Sequence, residues 1–292
     1  MATTPGERPQ WRDVLAEHAP LLLPAAHDGL TAKLIERAGF PALQIGGFAV
    51  EGARHGFPDI DLTHYAEMRA AVRDVLESTA LPVLVDGDDG YGDVKNVTRV
   101  VRGYEAMGVG ALFLEDQKAP KRCGHMTGKK VIPVEAMEAK IRAAVAARNG
   151  PDFFLIARTD ARAPHGLADA LRRAERYHKA GADGLYVEAP KSVRELKRIG
   201  KALAGIPLAV TMLEGGGQTP WTPPAELHEM GFSMILYPTT LLFRLARAVE
   251  RGLADLKAGR PLPPADAVDM DEFEQIVGMP DWSAIEQKYQ PQ

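Results

Sequence analysis

The chain repeats one pattern of apolar and polar residues along most of its length. A helical stretch ends in a glycine, a short apolar run follows, and a polar cluster comes after that run, as at Ala38–Phe40, Met107–Val109, Ala180–Ala182 and Met230–Phe232. Glycine suits the left-handed position that ends a helix, and a continuous apolar run is typical of a strand that is buried on both faces. The pattern therefore predicts helices that alternate with parallel strands.

Eight apolar runs are predicted as strands, and most of them lie about 25–40 residues apart with amphipathic stretches between them. This spacing favours an α/β fold of the (β/α)8 TIM-type barrel class. A doubly wound sheet is the alternative, but it usually has fewer strands, and no G-x-G-x-x-G segment follows the first run. The predicted strands are Leu21–Ala25, Ala42–Ile45, Pro82–Val85, Ala111–Leu114, Phe153–Ala157, Leu185–Val187, Pro207–Val210 and Met234–Tyr237.

Helical patterning continues after the eighth run. It covers Leu241–Lys257, is broken by prolines, and returns at Asp271–Val277 and Ser283–Tyr289. No stretch has the composition of an interdomain linker. We therefore predict a single barrel domain over residues 1–292, with residues 241–292 as a helical extension that packs on the barrel or on a neighbouring subunit.

Composition and charge narrow the class of protein. Hydrophobic residues make up 46% and charged residues 25% of the 292 residues, which is ordinary for a globular protein. The net charge of −4 gives no basic footprint, so we expect no nucleic-acid partner. No apolar run approaches membrane-spanning length, and Met1–Arg12 lacks the apolar stretch of a secretory signal. With one cysteine and hence no internal disulfide, we expect a cytoplasmic protein without a membrane partner.

Carboxylates cluster where the third and fourth strands end. Residues i and i+2 of a strand point the same way, so Asp86 and Asp88 are expected to converge. Two like charges there require a cation or a proton between them, and Glu115 from the next strand completes an all-oxygen set suited to Mg²⁺, with Mn²⁺ as an alternative. We predict a metal site at these three residues; capping or ion pairing is the structural alternative.

The segment Lys118–Lys130 has the polar, Gly- and Pro-containing composition of a lid over the barrel mouth. It carries Cys123 beside Arg122 and His125. A lone cysteine is ordinarily an inert core residue, but cationic neighbours are expected to draw its pKa toward neutrality, which suits proton transfer. His125 is expected to orient the thiol or bind a substrate carboxylate; a solvated loop histidine is the alternative.

The fifth and sixth strands are followed by a base and an acid. Arg158 offers a planar guanidinium that matches a carboxylate, and Glu188 is its expected neighbour in an ion pair, a role compatible with substrate binding. Other polar residues near strand ends are weaker candidates. Asp28, Thr159 and Asp160 are compatible with helix capping, Asp89 and Asp93 with helix capping or ion pairing, and His27 precedes Asp28.

Four segments in order resemble the isocitrate lyase/phosphoenolpyruvate mutase superfamily, and the similarity runs from Pro24–Phe40 to the tail near Tyr289. The resemblance implies an α/β barrel, Mg²⁺, an enolate of a 2-oxo acid, and a homotetramer built from helix-swapped dimers. The most specific segments are Asp86–Gly92, Leu114–Gln117, Lys121–His125 and Ala157–Ala161.

Within the superfamily, Lys121–His125 is similar to the lyase type, such as 2-methylisocitrate lyase and 2,3-dimethylmalate lyase, and to carboxyphosphonoenolpyruvate mutase. Ile45, Phe113 and Thr211 depart from the Ser, His and Asn that are common in the lyases, so catalytic machinery is expected to transfer better than specificity. Substrate contacts are expected from Gly46, Gly47, Asp59, Gly124, Arg158 and Thr211.

The favoured function is retro-aldol cleavage of a substituted malate or isocitrate-like acid to a 2-oxo acid, such as pyruvate, and a second carboxylic acid. Arg158 is expected to hold a carboxylate, and Cys123 to protonate the leaving carbanion with help from Glu188 and His125. The alternatives are an isomerase that forms a carbon–phosphorus bond from a carboxyphosphonoenolpyruvate, an oxaloacetate decarboxylase, and a non-catalytic barrel that binds a metal–carboxylate ligand.

Overall fold

The structure is a computed structural model that describes residues 8–261 and 263–290. Residues 1–7 of the polar start Met1–Arg12, residue 262, and residues 291–292 of the extension lie outside the described residues. Strands alternate with helices through most of the chain. The helices are α1 Trp11–His18, α2 Gly29–Arg37, α3 Gly47–Val50, α4 Tyr65–Leu76, α5 Val94–Ala106, α6 Val134–Ala147, α7 Arg162–His165, α8 Leu167–Lys179, α9 Val193–Ala202, α10 Pro224–Glu229, α11 Thr240–Lys257, α12 Met270–Val277 and α13 Met279–Tyr289, with a π-helical turn at Glu51–His55 and a 3₁₀ turn at Pro264–Asp266.

All eight predicted strands are confirmed, with ends that differ by one or two residues. The main difference is that several strands run on into the polar residues that follow the apolar run, so that the last residue or two of the strand carries a functional side chain. The observed strands are β1 Leu21–Pro24, β2 Leu43–Ile45, β3 Val83–Asp86, β4 Ala111–Glu115, β5 Phe154–Thr159, β6 Gly184–Val187, β7 Leu208–Thr211 and β8 Phe232–Tyr237.

The strands form one parallel sheet in the order β1-β8-β7-β6-β5-β4-β3-β2. Pairing of the first strand with the last is what a barrel requires and what a doubly wound sheet lacks. The remaining seam between β1 and β2 is joined by a parallel bridge from Ala25 to Gln44. The Gln44 side chain also donates to the Leu23 carbonyl at 3.0 Å. The predicted (β/α)8 barrel is therefore confirmed.

Buried side chains form one core inside the barrel and one between the strands and the helices. The inner core is closed at the amino-terminal end of the strands by α1, whose Trp11 is fully buried. Toward the other end it includes Phe113 and Tyr186, whose rings meet edge to face with centroids 5.7 Å apart. Because the lower barrel is filled, a ligand site within the described part of the barrel is expected at the carboxyl ends of the strands.

The predicted C-terminal helices are present as α11, α12 and α13. α12 packs on α2, and Arg37 lies 3.4 Å from Glu272 across that contact. α11 buries none of its side chains. None of the helices in the described ranges combines the length and the apolar composition that crossing a bilayer requires.

Candidate active site

Most of the predicted site residues line one small cavity, of about 50 Å³, at the carboxyl ends of the strands. Gly47, Asp88 and Glu115 are predicted residues that do not line it, although each contacts residues that do. The predicted residues in the cavity wall are Gly46, Asp59, Asp86, Cys123, Gly124, His125, Arg158, Glu188 and Thr211.

Asp86 and Asp88 converge, but not by the geometry that the sequence suggested. β3 ends at Asp86, and Asp88 lies in a left-handed turn with φ of 49°. A Cβ at Gly47 would lie 3.5 Å from Asp88 Oδ1 and 3.7 Å from Asp86 Oδ2. The prediction that strand alternation aligns the two side chains is therefore wrong, and the turn brings them together instead. Burial and the charge of Asp88 raise the pKa of Asp86 to about 7.

Lys121 is the cation that faces this acidic pair. Its Nζ lies 2.6 Å from Asp59 Oδ1 and also contacts Asp88 Oδ1. Although burial opposes its charge, Asp88 and Asp59 raise the pKa of Lys121, so the side chain stays an ammonium. Lys121 lies in a motif of the sequence, but its role could not be predicted there, because its partners lie on other loops.

Arg158 is surrounded by three acids. It lies 3.2 Å from Glu115, 2.9 Å from Asp160 and 3.8 Å from Glu188. Its guanidinium also sits 5.3 Å from the centre of the Tyr186 ring. The expected ion pair with Glu188 is present, but two other acids are closer. Burial opposes its charge, yet the acids raise the pKa of Arg158, so a fixed positive charge stands in the cavity wall.

Cys123 is a half-buried free thiol in residues 118–130, which we call the lid. Burial and the negative charge of Asp59 raise the pKa of the thiol to about 11. The prediction that cationic neighbours draw this pKa toward neutrality is wrong, because Arg158 lowers it by less than burial raises it. The thiol is neutral at pH 7 and therefore holds a proton that it can donate.

Gly124 and His125 bring the lid against Glu188. A Cβ on Gly124 would collide with Arg158 Nη2 and Glu188 Oε1, so glycine is required for this close approach. His125 Nε2 lies 3.2 Å from Glu188 Oε1, and the His125 side chain is 9% exposed, which excludes the solvated-loop alternative. Burial lowers the pKa of His125 in spite of Glu188, so the ring is neutral at pH 7.

Lys129 anchors the lid from below, a contact that no pattern in the sequence predicts. Its buried Nζ donates to the Gly124 carbonyl and to Asp160 Oδ1, the latter at 2.7 Å. Although burial opposes it, the adjacent cations lower the pKa of Asp160 to about 2. Thr159 donates to Asp116 at 2.8 Å. The interpretation of Thr159 and Asp160 as helix caps is therefore wrong, since both brace the site.

Other acids near the strand ends do cap helices or form ion pairs, as the structural alternative predicted. Asp28 and Asp93 accept backbone N–H groups in the first turns of α2 and α5, at 2.7 and 2.9 Å. Asp89 lies 3.4 Å from Lys140. His27, at the end of β1, lines a separate apolar groove rather than the cavity. These residues therefore position helices or lie outside the candidate site.

The donor set fits a hard divalent cation. Within residues 8–261 and 263–290, Glu115 Oε1 is buried without a hydrogen-bond partner, and Asp88 Oδ1 is buried with the Lys121 ammonium as its ion-pair partner. Carboxylate oxygens of this kind are the ligands that Mg²⁺ prefers. In the same ranges, no three His, Cys, Asp or Glu side chains are already arranged around one metal position. This is compatible with an ion that takes two protein carboxylates and completes its shell with water and substrate oxygens.

Comparisons with known proteins find one matching family model and several related proteins. The family model for phosphoenolpyruvate phosphomutase matches residues 12–257. The chain is 40% identical over 291 residues to the petal death protein of Dianthus caryophyllus, covering 99% of this chain and 91% of that protein. It is 38% identical over 284 residues to the 2,3-dimethylmalate lyase of Eubacterium barkeri, covering 95% and 96%.

Among solved structures, an oxaloacetate acetylhydrolase in complex with the inhibitor 3,3-difluorooxalacetate matches with a TM-score of 0.91 and 30% identity, over 96% of this chain and 95% of that chain. The relatives also include 2-methylisocitrate lyases and a carboxyvinyl-carboxyphosphonate phosphorylmutase. The subfamily types that the Lys121–His125 motif predicted are thus all found among the relatives.

Proposed function

The chain belongs to the isocitrate lyase/phosphoenolpyruvate mutase superfamily, and on this premise we propose that it is a divalent-metal-dependent carbon–carbon lyase. Its substrate is a substituted malate, which it cleaves to a 2-oxo acid and a second carboxylic acid. The observation that carries the proposal is a single cavity lined by a buried guanidinium, Arg158, a protonated thiol, Cys123, and a carboxylate, Glu188.

Substrate binding follows from the fixed charges. Arg158 stays ionised, and the N–H groups along the edge of its planar guanidinium can donate to a substrate carboxylate. Asp86 and Asp88, with Glu115 through water, would hold Mg²⁺ or Mn²⁺, and such an ion supplies a Lewis acid for the oxygens at C2 of the acid. Lys121 limits the negative charge of the acidic pair by its contact with Asp88.

Cleavage breaks the C2–C3 bond, releases the hydroxyl proton and leaves an electron pair on C3. Glu188 Oε2 has no hydrogen-bond partner in the described part of the chain and accepts the hydroxyl proton. The Cys123 thiol gives its proton to C3, which completes the second acid. The lid excludes bulk water during these steps, and the thiolate regains a proton once the lid opens.

The cavity wall favours a malate with an alkyl substituent over a tricarboxylic acid. Arg158 is taken up by one substrate carboxylate, Lys121 lies behind the wall and is paired with Asp59 and Asp88, and His125 is neutral. Among the described residues of the cavity wall, no further cation is left for a third carboxylate. The rest of the wall is largely apolar and suits alkyl groups: Phe48, Phe113, Tyr186, Leu213, Leu236 and Pro238.

The test is a Mg²⁺-supplemented panel of substituted malates and tricarboxylates, read by pyruvate and glyoxylate release. We expect a 2,3-dialkylmalate to give the highest kcat/KM. Phe113→His, which adds a polar group to the wall, should shift the ratio of the two substrate classes toward tricarboxylates by about 10-fold. Phe57→His, at an exposed position, is the matched control and should leave the ratio unchanged.

Three outcomes contradict this proposal. The first is the absence of carbon–carbon cleavage for every acid in the panel while Mg²⁺ and oxalate still bind, which points to a non-catalytic barrel. The second is a new carbon–phosphorus bond in phosphorus NMR with a carboxyphosphonoenolpyruvate, which identifies an isomerase. Loss of CO2 from oxaloacetate alone likewise replaces the lyase by a decarboxylase.

A homotetramer of helix-swapped dimers is also part of the proposal, with a second copy of this chain as the partner. α11 has no buried side chain, and its Val249, Leu253 and Leu256 are 51%, 60% and 75% exposed. Beside it, an apolar groove of about 550 Å³ offers a place for a partner helix. The groove includes Leu30, Leu34, Phe40, Leu241 and Leu245.

Location and other partners follow from composition. A single cysteine and a net charge of −4 support a cytoplasmic enzyme whose ligand is a small acid rather than a nucleic acid.

A further inference from the structure

Gln218 joins two loops that close over the cavity. It lies in the loop of residues 212–223, between β7 and α10, and it contacts the lid at His125. The backbone N–H of Gln218 donates to His125 Nδ1 at 3.0 Å. Its side-chain Nε2 donates to the His125 carbonyl at 2.7 Å. One residue thus bonds both the ring and the backbone of His125.

The bond to Nδ1 decides which ring nitrogen of His125 carries the proton. A neutral imidazole has one N–H donor and one acceptor, and a backbone N–H can only donate. Nδ1 is therefore the acceptor, and the proton lies on Nε2. Nε2 is buried, lacks a hydrogen-bond partner among the described residues and lies 3.2 Å from Glu188 Oε1. This N–H is available to an oxygen of a bound ligand.

We propose that Gln218 is a positioning residue that holds His125 as an Nε2–H donor and couples closure of the lid to the loop 212–223. The inference rests on the proposed function in one respect: it assumes that substrate binds in this cavity. The backbone N–H of Gln218 selects the tautomer, and its side-chain amide holds the two loops together. Neither contact touches the reacting atoms.

Three variants at Gln218 distinguish loss of the contact between the two loops from a general loss of the fold. Gln218→Glu keeps the shape of the side chain but replaces the donor by a carboxylate that faces the His125 carbonyl, so the tie is lost. Gln218→Ala deletes the amide without adding charge, and Gln218→Lys restores a donor. Gln10→Glu makes the same chemical change at an exposed position and is the matched control.

The first measurement is trypsin cleavage after Arg122, an exposed lid residue, in the protein without substrate. Cleavage of a folded loop follows the population of its open form. Because one side-chain hydrogen bond contributes modestly to stability, Gln218→Glu and Gln218→Ala should speed cleavage by about 3- to 10-fold, and Gln218→Lys should reverse part of the change. Gln10→Glu should cleave like the parent.

The second measurement is the ¹⁵N spectrum of histidine-labelled protein near pH 7, with the His125 signals assigned from a His125→Gln sample. We expect a single form protonated at Nε2 in the parent. In Gln218→Glu the backbone N–H remains, but loss of the side-chain tie lets it move away from Nδ1 in the open form, so the share protonated at Nδ1 should rise in step with cleavage after Arg122. Unchanged cleavage after Arg122 together with an unchanged tautomer in Gln218→Glu and Gln218→Ala overturns the proposal. Neither readout uses substrate, so failure of the lyase assay does not affect it.

Discussion

At the scale of single residues, the protonation state of Cys123 follows from where the lid places it. An exposed thiol flanked by cations would be partly ionised at neutral pH. Here burial and the adjacent Asp59 keep the thiol protonated, and the positive charge of Arg158, which acts in the opposite direction, has a smaller effect. The same side chain is therefore suited to deliver a proton rather than to attack as a nucleophile.

Replacement of this thiol should affect chemistry and leave binding intact. Cys123→Ser is expected to lower kcat by about 10²- to 10⁴-fold, the usual contribution of a general acid, because a hydroxyl gives up its proton less readily. The dissociation constant of oxalate in the presence of Mg²⁺, measured by calorimetry, should stay within about 2-fold, since one buried neutral group replaces another. Full turnover by Cys123→Ser on the true substrate would show that the proton comes from elsewhere.

At the scale of elements, close contacts between backbones set which residues the helices accept. α9 passes over the turn that precedes β8, and a Cβ on Gly200 would collide with the carbonyl oxygen of Met230. The Met230 backbone cannot move aside as a flexible side chain can. A larger residue at position 200 must therefore displace α9 from the barrel.

Gly200→Ala is accordingly expected to destabilise the protein by about 1–3 kcal/mol, which for a chain of this length lowers Tm by about 2–12 °C. Thermal unfolding followed by circular dichroism measures this shift. Gly150→Ala is the matched control, because a Cβ there meets nothing within 4 Å, and it should leave Tm nearly unchanged. Equal Tm values for the two variants would mean that α9 has room to adjust.

The positions of the helices and strands could be predicted from the sequence, but the contacts between their loops could not. Apolar runs located the eight strands because burial on both faces imposes local composition. Acids and bases at the strand ends could be assigned to one edge because parallel strands end together. The left-handed turn at Asp88, the pairing of Lys121 with Asp59 and the bond from Gln218 to His125 join loops distant in sequence. No periodicity within a single segment encodes such contacts.

At the scale of the whole molecule, α11 follows the last strand with none of its side chains fully buried, although Leu241 in its first turn packs partly against the core. Its apolar residues Leu245, Val249, Leu253 and Leu256 recur at intervals of three and four, so they share one face of the helix. A stripe of this kind ordinarily packs against another apolar surface, and the groove between α2 and α11 is such a surface.

A charge on this stripe should therefore disrupt assembly. Leu253→Glu is expected to convert tetramers to smaller species in analytical ultracentrifugation, because burying an unpaired carboxylate costs several kcal/mol at each contact. Ala254→Glu adds the same charge about 100° away around the helix and should leave the sedimentation coefficient unchanged. A parent protein that sediments as a monomer at micromolar concentration would contradict the proposed assembly.

The small volume under the lid has a kinetic consequence. About 50 Å³ is far less than the roughly 300 Å³ at which sites for small molecules begin, so a branched C5 or C6 acid cannot enter while the loops are shut. Every catalytic cycle must then include two openings of the lid, one for substrate binding and one for product release. Turnover that slows as the surrounding medium becomes more viscous would identify this opening, rather than bond breaking, as the rate-limiting step.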